Sequence, residues 1–150
     1  MTNEEKKTAF AKTAFCKNLG DDVINEIATA AVERNFAKGD TIVKAGDDVD
    51  GLHLFVSGQA RVVNTFAGES KTVGMLKPYE VMGEVALIGA QKRSSTVIAD
   101  QPVQTLLLQT ADFHRLVEAH NEIRQHLEQL GQRRTTTNLE MHLGDLPEID

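Results

Sequence analysis

The feature that most constrains the fold is a series of short β-rich runs, separated by turn residues, in the middle of the chain. These runs cover residues 41–43, 52–56, 60–63, 71–76, 95–98 and 104–108, with glycine, aspartate or serine between most of them. Such connections suit hairpins and are too short for the helical crossovers that parallel strands require. The pattern predicts an antiparallel sandwich or roll over about residues 37–109 and excludes a doubly wound parallel sheet.

Helical patterns precede this β-rich region. Over about residues 3–36, apolar residues recur at helical spacing without an intervening proline. Leu19-Gly20 is a typical helix end, and Asp21-Asp22 offer acidic N-cap chemistry for a second helix. The sequence therefore predicts two helices before the first strand.

A helical pattern also follows the β-rich region, over about residues 110–140. An apolar stripe runs from Phe113 to Leu130, and a break near His120-Asn121 divides it into two predicted helices. Residues 141–150 are acidic and contain Pro147, so we expect a frayed tail there. Helices, a β-core and further helices make an α+β fold, and 150 residues suffice for one domain, 1–150.

Composition excludes several classes of function and site. Sixteen Lys and Arg against 22 Asp and Glu give a net charge of −6, which disfavours a long interface with a nucleic-acid backbone. The one cysteine, Cys16, rules out an internal disulfide and a cysteine zinc site. No apolar run approaches the roughly 20 residues of a membrane helix, and the N-terminus lacks the apolar region of a signal peptide. These observations predict a cytoplasmic protein without a membrane span.

One segment between two β-runs carries recognisable chemistry. It begins with Gly83-Glu84, continues through an apolar helical turn and closes with Arg93. Glycine lets the backbone approach a ligand, a helix start presents N–H groups to phosphate, and an arginine adds a charge-assisted fork. Glu84 would be repulsive in an anion site unless it accepts hydrogen bonds from sugar hydroxyls. The segment therefore predicts a ligand with a phosphate and a nearby ribose hydroxyl.

The same segment resembles the phosphate-binding cassette of the cyclic nucleotide-binding domain family. The family pattern is Gly-Glu-x-Ala-Leu, then an arginine ten residues after the glycine and a small residue, and it is matched at residues 83–87, 93 and 94. The resemblance extends over roughly residues 13–134 and includes the glycine turns at residues 39, 46 and 58. It implies a jelly-roll-like antiparallel β-roll with C-terminal lid helices. One departure is Tyr79, at a position where the family often has a glycine.

The resemblance also implies roles for individual residues. Glu84 would accept the ribose 2′-hydroxyl, and Arg93 would bind the exocyclic oxygens of the cyclic phosphate. The other predicted ligand-binding residues support the phosphate, the base or the lid: Gly83, Val85, Ala86, Ser94 and Ser95 at the phosphate, Val62 and Val73 at the base, and Asn138 at the adenine edge.

The implied function is that of a regulatory domain, not an enzyme, which changes conformation when it binds cAMP or, as a second option, cGMP. No cofactor is implied beyond that ligand. The predicted partners are the cyclic nucleotide and an effector domain or partner protein, with a homodimer as a further option. Nucleic acid is not among the predicted partners.

Several alternatives stay open from the sequence. The chain could be the sensory domain of a transcription regulator without its DNA-reading part, or a degenerate domain that acts through protein contacts. Glu84 and Arg93 could form a surface ion pair instead of a binding site. A cupin-like metal site is disfavoured, because His53 stands alone in a β-run and the other histidines fall in the helical region.

Overall fold

The computed structural model of the chain describes residues 1–14, 16–82, 92–93 and 95–125. Within these residues, two four-stranded sheets are flanked by helices, which confirms the predicted α+β class. In chain order the elements are α1 (Asn3–Ala11), α2 (Asp21–Ala30), β1 (Val32–Phe36), β2 (Thr41–Val43), β3 (Gly51–Ser57), β4 (Ala60–Phe66), β5 (Glu69–Leu76), β6 (Val81–Met82), β7 (Thr96–Ala99), β8 (Val103–Gln109) and α3 (Thr110–Ala119).

The two sheets pair their strands in an antiparallel sense. One sheet has the order β1-β8-β3-β6 and the other has the order β2-β7-β4-β5. The predicted β-runs correspond to β2, β3, β4, β5, β7 and β8, and every described strand pair is antiparallel. The prediction of an antiparallel roll from closely spaced turns is therefore confirmed.

Strand β1 corrects the predicted boundary between helices and sheet. The sequence assigned residues 32–36 to the N-terminal helical region, but they form a strand whose five residues all pair with β8. Val32 lies opposite Leu107, and Phe36 lies opposite Val103. The apolar spacing of Ala31 and Val32 continues the pattern of α2, so only pairing with a strand about 70 residues away reveals the change.

The ends of the first two helices also differ from the prediction. Helix α1 ends at Ala11 instead of near Leu19, because the Thr13 hydroxyl donates to the carbonyl of Phe10 and accepts from the amide of Cys16. A threonine side chain that bonds to nearby backbone competes with helix continuation. The N-cap of α2 is Gly20, and the two aspartates lie in the first turn of the helix. There they interact favourably with the helix dipole.

Two apolar clusters divide the core between the two faces of the β1-β8-β3-β6 sheet. On the outer face, alternate residues of β3 and β8 pack against α1, α2 and α3. The inner face meets the second sheet, and residues such as Phe55, Val62 and Val97 fill the space between the sheets. Strand β3 therefore contributes to both clusters, with successive side chains on opposite faces.

The helices after the β-core begin as predicted. Helix α3 ends at Ala119 with His120 as its C-cap, and a new helical stretch occupies residues 121–125, which confirms the predicted break. Phe113, Leu116 and Ile123 are buried, as the apolar stripe predicted. Leu130, the lid prediction beyond residue 125 and the acidic tail at 141–150 lie outside the described residues. Among the described helices, none has the length and apolar character needed to cross a membrane.

Candidate functional site

Arg93 lies inside the roll, just before β7. Only 3% of its surface is exposed, so the described structure excludes the alternative of a surface ion pair for this residue. Ser95, Val97 and Ala99 are buried at the alternate positions that follow, whereas Thr96 is partly exposed. Because side chains alternate along a strand, Val97 and Ala99 of β7 share its inward face, and the buried Arg93 and Ser95 lie shortly before them in the chain.

The loop between β2 and β3 holds Arg93 through both its backbone and its side chain. The Gly46 amide donates to the carbonyl of Arg93 at 2.9 Å, and the Arg93 amide donates to the carbonyl of Asp47 at 2.8 Å. The Nη2 atom of Arg93 donates to Asp50 Oδ1 at 2.7 Å and to the carbonyl of Gly51 at 2.8 Å. Residues 46–51 therefore set both the position and the direction of the guanidinium.

Gly51 allows this loop to enter β3 at the observed angle. Its φ is +150°, and a Cβ atom built there would lie 2.2 Å from the carbonyl oxygen of Leu108. A side chain at this position would push β3 away from β8, because the backbone of β8 cannot yield as a flexible side chain would. The small size of Gly51 thus keeps its carbonyl within reach of Arg93.

Asp50 connects Arg93 to a buried histidine. Asp50 Oδ1 lies 3.2 Å from His53 Nε2, and Oδ2 lies 3.1 Å from it. Oδ1 also accepts a hydrogen bond from Arg93 Nη2. Burial of the Asp50 carboxyl raises its pKa, but hydrogen bonds and charges from His53 and Arg93 together lower it more. The pKa of Asp50 consequently lies well below its usual range, and the carboxylate stays ionised near neutral pH.

His53 is the polar side chain on the inner face of β3. It is 1% exposed, and its Nδ1 atom lies 3.4 Å from the hydroxyl of Thr105 on β8. Thr105 is itself fully buried. A chain of four polar side chains therefore runs from Thr105 through His53 and Asp50 to Arg93.

The apolar part of the predicted site lies on the other sheet. Val62 is fully buried between the sheets, and Val73 is a partly buried neighbour of that cluster. Ser95 is buried and donates its hydroxyl to Asn64 Oδ1 on β4 at 2.6 Å. Val62 and Val73 therefore belong to the apolar cluster between the sheets, and their contact with a base stays a prediction.

Part of the predicted site falls outside the described residues. These positions are Gly83, Glu84, Val85 and Ala86 of the cassette, Ser94 beside Arg93, and Asn138 of the lid. Their roles stay predictions. Of the predicted site residues that are described, Arg93 and Ser95 directly precede β7, and Val62 and Val73 lie on β4 and β5 of the same sheet as β7.

The sequence reasoning missed the supporting roles of Asp50, His53 and Asn64. The sequence places His53 alone in a β-run, whereas in the structure its partners are Asp50 and Thr105. A signal was present: His53 interrupts an apolar run with a polar residue at a position that alternates with Leu52 and Leu54. Such a residue must face a different environment from its neighbours.

The backbone conformation of Tyr79 shows how the chain accommodates a tyrosine where the family often has a glycine. Its φ is +69°, so it adopts the left-handed conformation that a glycine would adopt. The Glu80 amide donates to the carbonyl of Lys77 at 3.1 Å, which closes a turn with Pro78 and Tyr79 at its centre. The Tyr79 amide donates to the carbonyl of Phe55 at 2.6 Å, which fixes this turn to β3. The tyrosine therefore retains the turn geometry at the expense of local strain.

The described residues contain no group of three or more His, Cys, Asp or Glu arranged to hold a metal ion. Burial raises the pKa of the Cys16 thiol to about 12, against a smaller opposite effect of its hydrogen bond with Thr13. The thiol is accordingly protonated and unreactive near neutral pH. Neither feature adds to the chemistry around Arg93.

Comparisons with known proteins agree with this geometry. Mouse cGMP-dependent protein kinase 2 is 26% identical over 129 residues, which cover 84% of this chain and 17% of the kinase. The cAMP-dependent protein kinase regulatory subunit of Yarrowia lipolytica is 33% identical over 100 residues, which cover 67% of this chain and 26% of that protein. The chain thus spans about a quarter or less of the length of these two relatives.

A solved structure supports the same relationship. The catabolite activator protein of Thermus thermophilus superposes with a TM-score of 0.76 and 26% identity, over 85% of this chain and 61% of that one. The family model described as cyclic nucleotide-binding domain matches residues 33–120, which is more than half of the chain. From the β-roll, the buried Arg93 and these matches, it follows that the chain belongs to the cyclic nucleotide-binding domain family.

Proposed function

We propose that the chain binds a cyclic nucleotide inside the β-roll and acts as a regulatory module, not as an enzyme. The observation that carries this proposal is the buried Arg93, which ends the cassette segment in the sequence and donates to Asp50 and to the Gly51 carbonyl. A buried guanidinium is expensive to desolvate, and its planar fork matches the geometry of phosphate oxygens. The exocyclic oxygens of a cyclic phosphate have that geometry.

The proposed positions of the base and the ribose depend on which residues line the roll interior and the cassette. Val62 on β4 and Val73 on β5 belong to the same sheet as β7 and offer an apolar wall for a purine base. Glu84 is proposed to accept the ribose 2′-hydroxyl, with Gly83, Val85, Ala86 and Ser94 supplying backbone contacts to the phosphate. The proposed order is phosphate at Arg93, ribose at Glu84 and base at the valines.

The preferred nucleotide is proposed to be cAMP, with weaker binding of cGMP. The Asn138 amide offers a donor and an acceptor side by side, which suits the adenine amino edge. Ser94 is the residue that would favour guanine, since its hydroxyl could reach the guanine amino group. One of the two relatives is named for cGMP and the other for cAMP, so both ligands belong in the test.

The conformational response is proposed to lie in the helices after β8. Helix α3 packs on β3 and β8, and the break at His120 separates it from the helical stretch that begins at residue 121. Ligand binding would draw that helix over the base. The regulated partner, an effector domain or another protein in the cytoplasm, and the option of a homodimer belong to this proposal as well.

Isothermal titration of the chain with cAMP and with cGMP tests the binding proposal directly. Arg93→Ala should weaken cAMP binding by roughly 30-fold or more, since a hydrogen bond to a charged group contributes about 1.5–3 kcal/mol. Arg93→Lys should recover part of the loss, because lysine retains the charge without the planar fork.

Arg61→Ala is the matched control for the removal of a positive charge. Arg61 lies on β4, is partly exposed and pairs with Asp100, so its loss should leave cAMP affinity within about twofold. Equal cAMP affinity in wild type and Arg93→Ala would overturn the phosphate assignment. Absence of any binding of cAMP and cGMP by the wild-type chain would favour the alternative of a degenerate domain that acts through protein contacts.

A further inference from the structure

The polar chain behind Arg93 contains a histidine whose two ring nitrogens face different partners. His53 Nε2 contacts both oxygens of Asp50, and Nδ1 faces the Thr105 hydroxyl at 3.4 Å. A hydroxyl can act as donor or acceptor by rotating about its C–O bond. Thr105 can therefore donate to a neutral imidazole and accept from a protonated one, so the pocket accommodates both charge states of His53.

Asp50 Oδ1 is shared between His53 and Arg93. It lies 3.2 Å from His53 Nε2 and 2.7 Å from Arg93 Nη2. When the imidazole is neutral, the Asp50 charge balances the Arg93 charge. When the imidazole is protonated, it competes for the same carboxylate and gives the three-residue cluster a net positive charge. Both effects increase the attraction of Arg93 for an anion.

We propose that His53 is a positioning residue for Arg93, which acts through Asp50 and makes the affinity of this site for a cyclic nucleotide increase as pH falls. The inference rests on the proposed function, because it concerns the same arginine. Protonation of His53 favours the bound anion, and by linkage the bound anion favours protonation of His53. Ligand binding should therefore take up protons in the pH range where an imidazole changes charge.

The charged surroundings of His53 fit this direction of coupling. Among the described residues, Leu107 and Met82 pair with His53 across the sheet, and Thr105 faces its Nδ1 atom. Arg93 is linked to His53 through the shared Asp50 carboxylate. Helix α3 packs on the opposite face of β3, away from His53. Asp50 keeps its charge throughout the relevant range, since its pKa is held well below the usual value.

Titration of the full chain with cAMP at several pH values between about 8 and 5.5 tests the inference. The wild-type affinity should rise by about fivefold over this range, a coupling at the low end of those measured between linked sites. His53→Gln keeps a donor for Asp50 but carries no titrating group, so its affinity should be nearly independent of pH. The binding heat of wild type should also depend on the ionisation enthalpy of the buffer, and that of His53→Gln should not.

His114→Gln is the matched control. His114 is exposed on α3, so this variant should retain the wild-type pH profile. A profile in His53→Gln as steep as that of wild type would overturn the inference, since another group would then be responsible. A wild-type chain that binds cAMP equally well at all these pH values would overturn it too, while leaving the proposed binding function intact.

A ligand-free measurement keeps the inference testable if the chain binds neither nucleotide or if His53→Gln fails to fold. In a ¹⁵N-labelled chain, the side-chain Nε–H resonance of Arg93, assigned with Arg93→Lys, should shift with pH in step with the His53 imidazole. A resonance of Arg93 that stays constant while His53 titrates would show that the two side chains are not coupled.

Discussion

On one face of β3, Leu52 and Leu54 pack against the helices, whereas on the other face His53 meets Asp50 and Thr105. The helix-facing residues are fully buried among apolar neighbours from α1, α2 and α3. The roll-facing histidine lies in a polar chain that ends at a buried arginine. One strand therefore supports the fold with alternate residues and the site with the residues between them.

The difference shows where the chain departs from ordinary packing rules. The helix-facing side uses apolar residues in regular positions, which is what stability alone requires. The roll-facing side buries Arg93 and His53 and depends on Tyr79 in a conformation that suits glycine. Residues that break ordinary packing rules concentrate at functional sites, because function can retain a residue that stability alone would not favour.

The largest effect is expected on the helix-facing side. Leu54→Ala should lower the free energy of unfolding by about 2–5 kcal/mol, since it leaves a cavity among well-packed side chains. Denaturant unfolding followed by circular dichroism measures this loss. Leu54→Met is the control, because it conserves volume and should cost less than about 1.5 kcal/mol.

The same variant tests whether the two faces are independent. If the folded Leu54→Ala chain retains the wild-type pH dependence of cAMP binding, the two faces act separately. A loss of that pH dependence in the folded variant would show that packing against the helices also sets the position of His53.

A smaller effect is expected on the roll-facing side. Asp50→Asn removes the charge that balances buried Arg93, and we expect a loss of about 1–2 kcal/mol at neutral pH, reduced from a fully buried pair because Asp50 is half-exposed. The folded-state pKa of Asp50 is lowered, so its stabilising effect is present above its unfolded pKa and disappears as pH falls toward the folded value.

Thermal unfolding of wild type and Asp50→Asn between about pH 7 and about pH 2 measures this dependence. The difference in Tm should be greatest at neutral pH and should decrease below about pH 4. Asp48→Asn is the control, since Asp48 is an exposed partner of Lys92. A Tm difference between wild type and Asp50→Asn that stays constant with pH would show that the Asp50 charge does not stabilise the folded chain.

The sequence predicted the β-core better than the elements at its edges. Turn residues and period-two runs reveal β2, β3 and β8 because these signals are local. The prediction that residues 32–36 are helical was wrong, because their strand conformation depends on pairing with β8, which lies far along the chain. The two-residue β6 was missed because a strand so short has no period of its own.

Residues of the candidate site could be proposed from the sequence where a spacing motif exists, but not where only contacts in the folded chain bring them together. Arg93 followed from the cassette pattern, and its burial agrees with that prediction. Asp50 and His53 belong to no motif in this chain, and their roles depend on how the loop at 46–51 turns back toward Arg93. Contacts between residues about 40 positions apart become visible only when the sheet is assembled.

The smallest effect on stability is expected for substitutions of Tyr79. These substitutions distinguish the cost of its backbone strain from the benefit of its side-chain contact. The ring lies 4.7 Å from Lys12 Nζ, an exposed contact that contributes about 0.5–1 kcal/mol at most. Tyr79→Ala removes the ring and keeps the positive φ, whereas Tyr79→Gly removes both the ring and the strain. We therefore expect Tyr79→Gly to be more stable than Tyr79→Ala by about 1 kcal/mol in denaturant unfolding. Equal stability of these two variants would mean that the turn relaxes to a negative φ when the ring is lost, and that the contact with Lys12 holds the tyrosine in its unusual conformation.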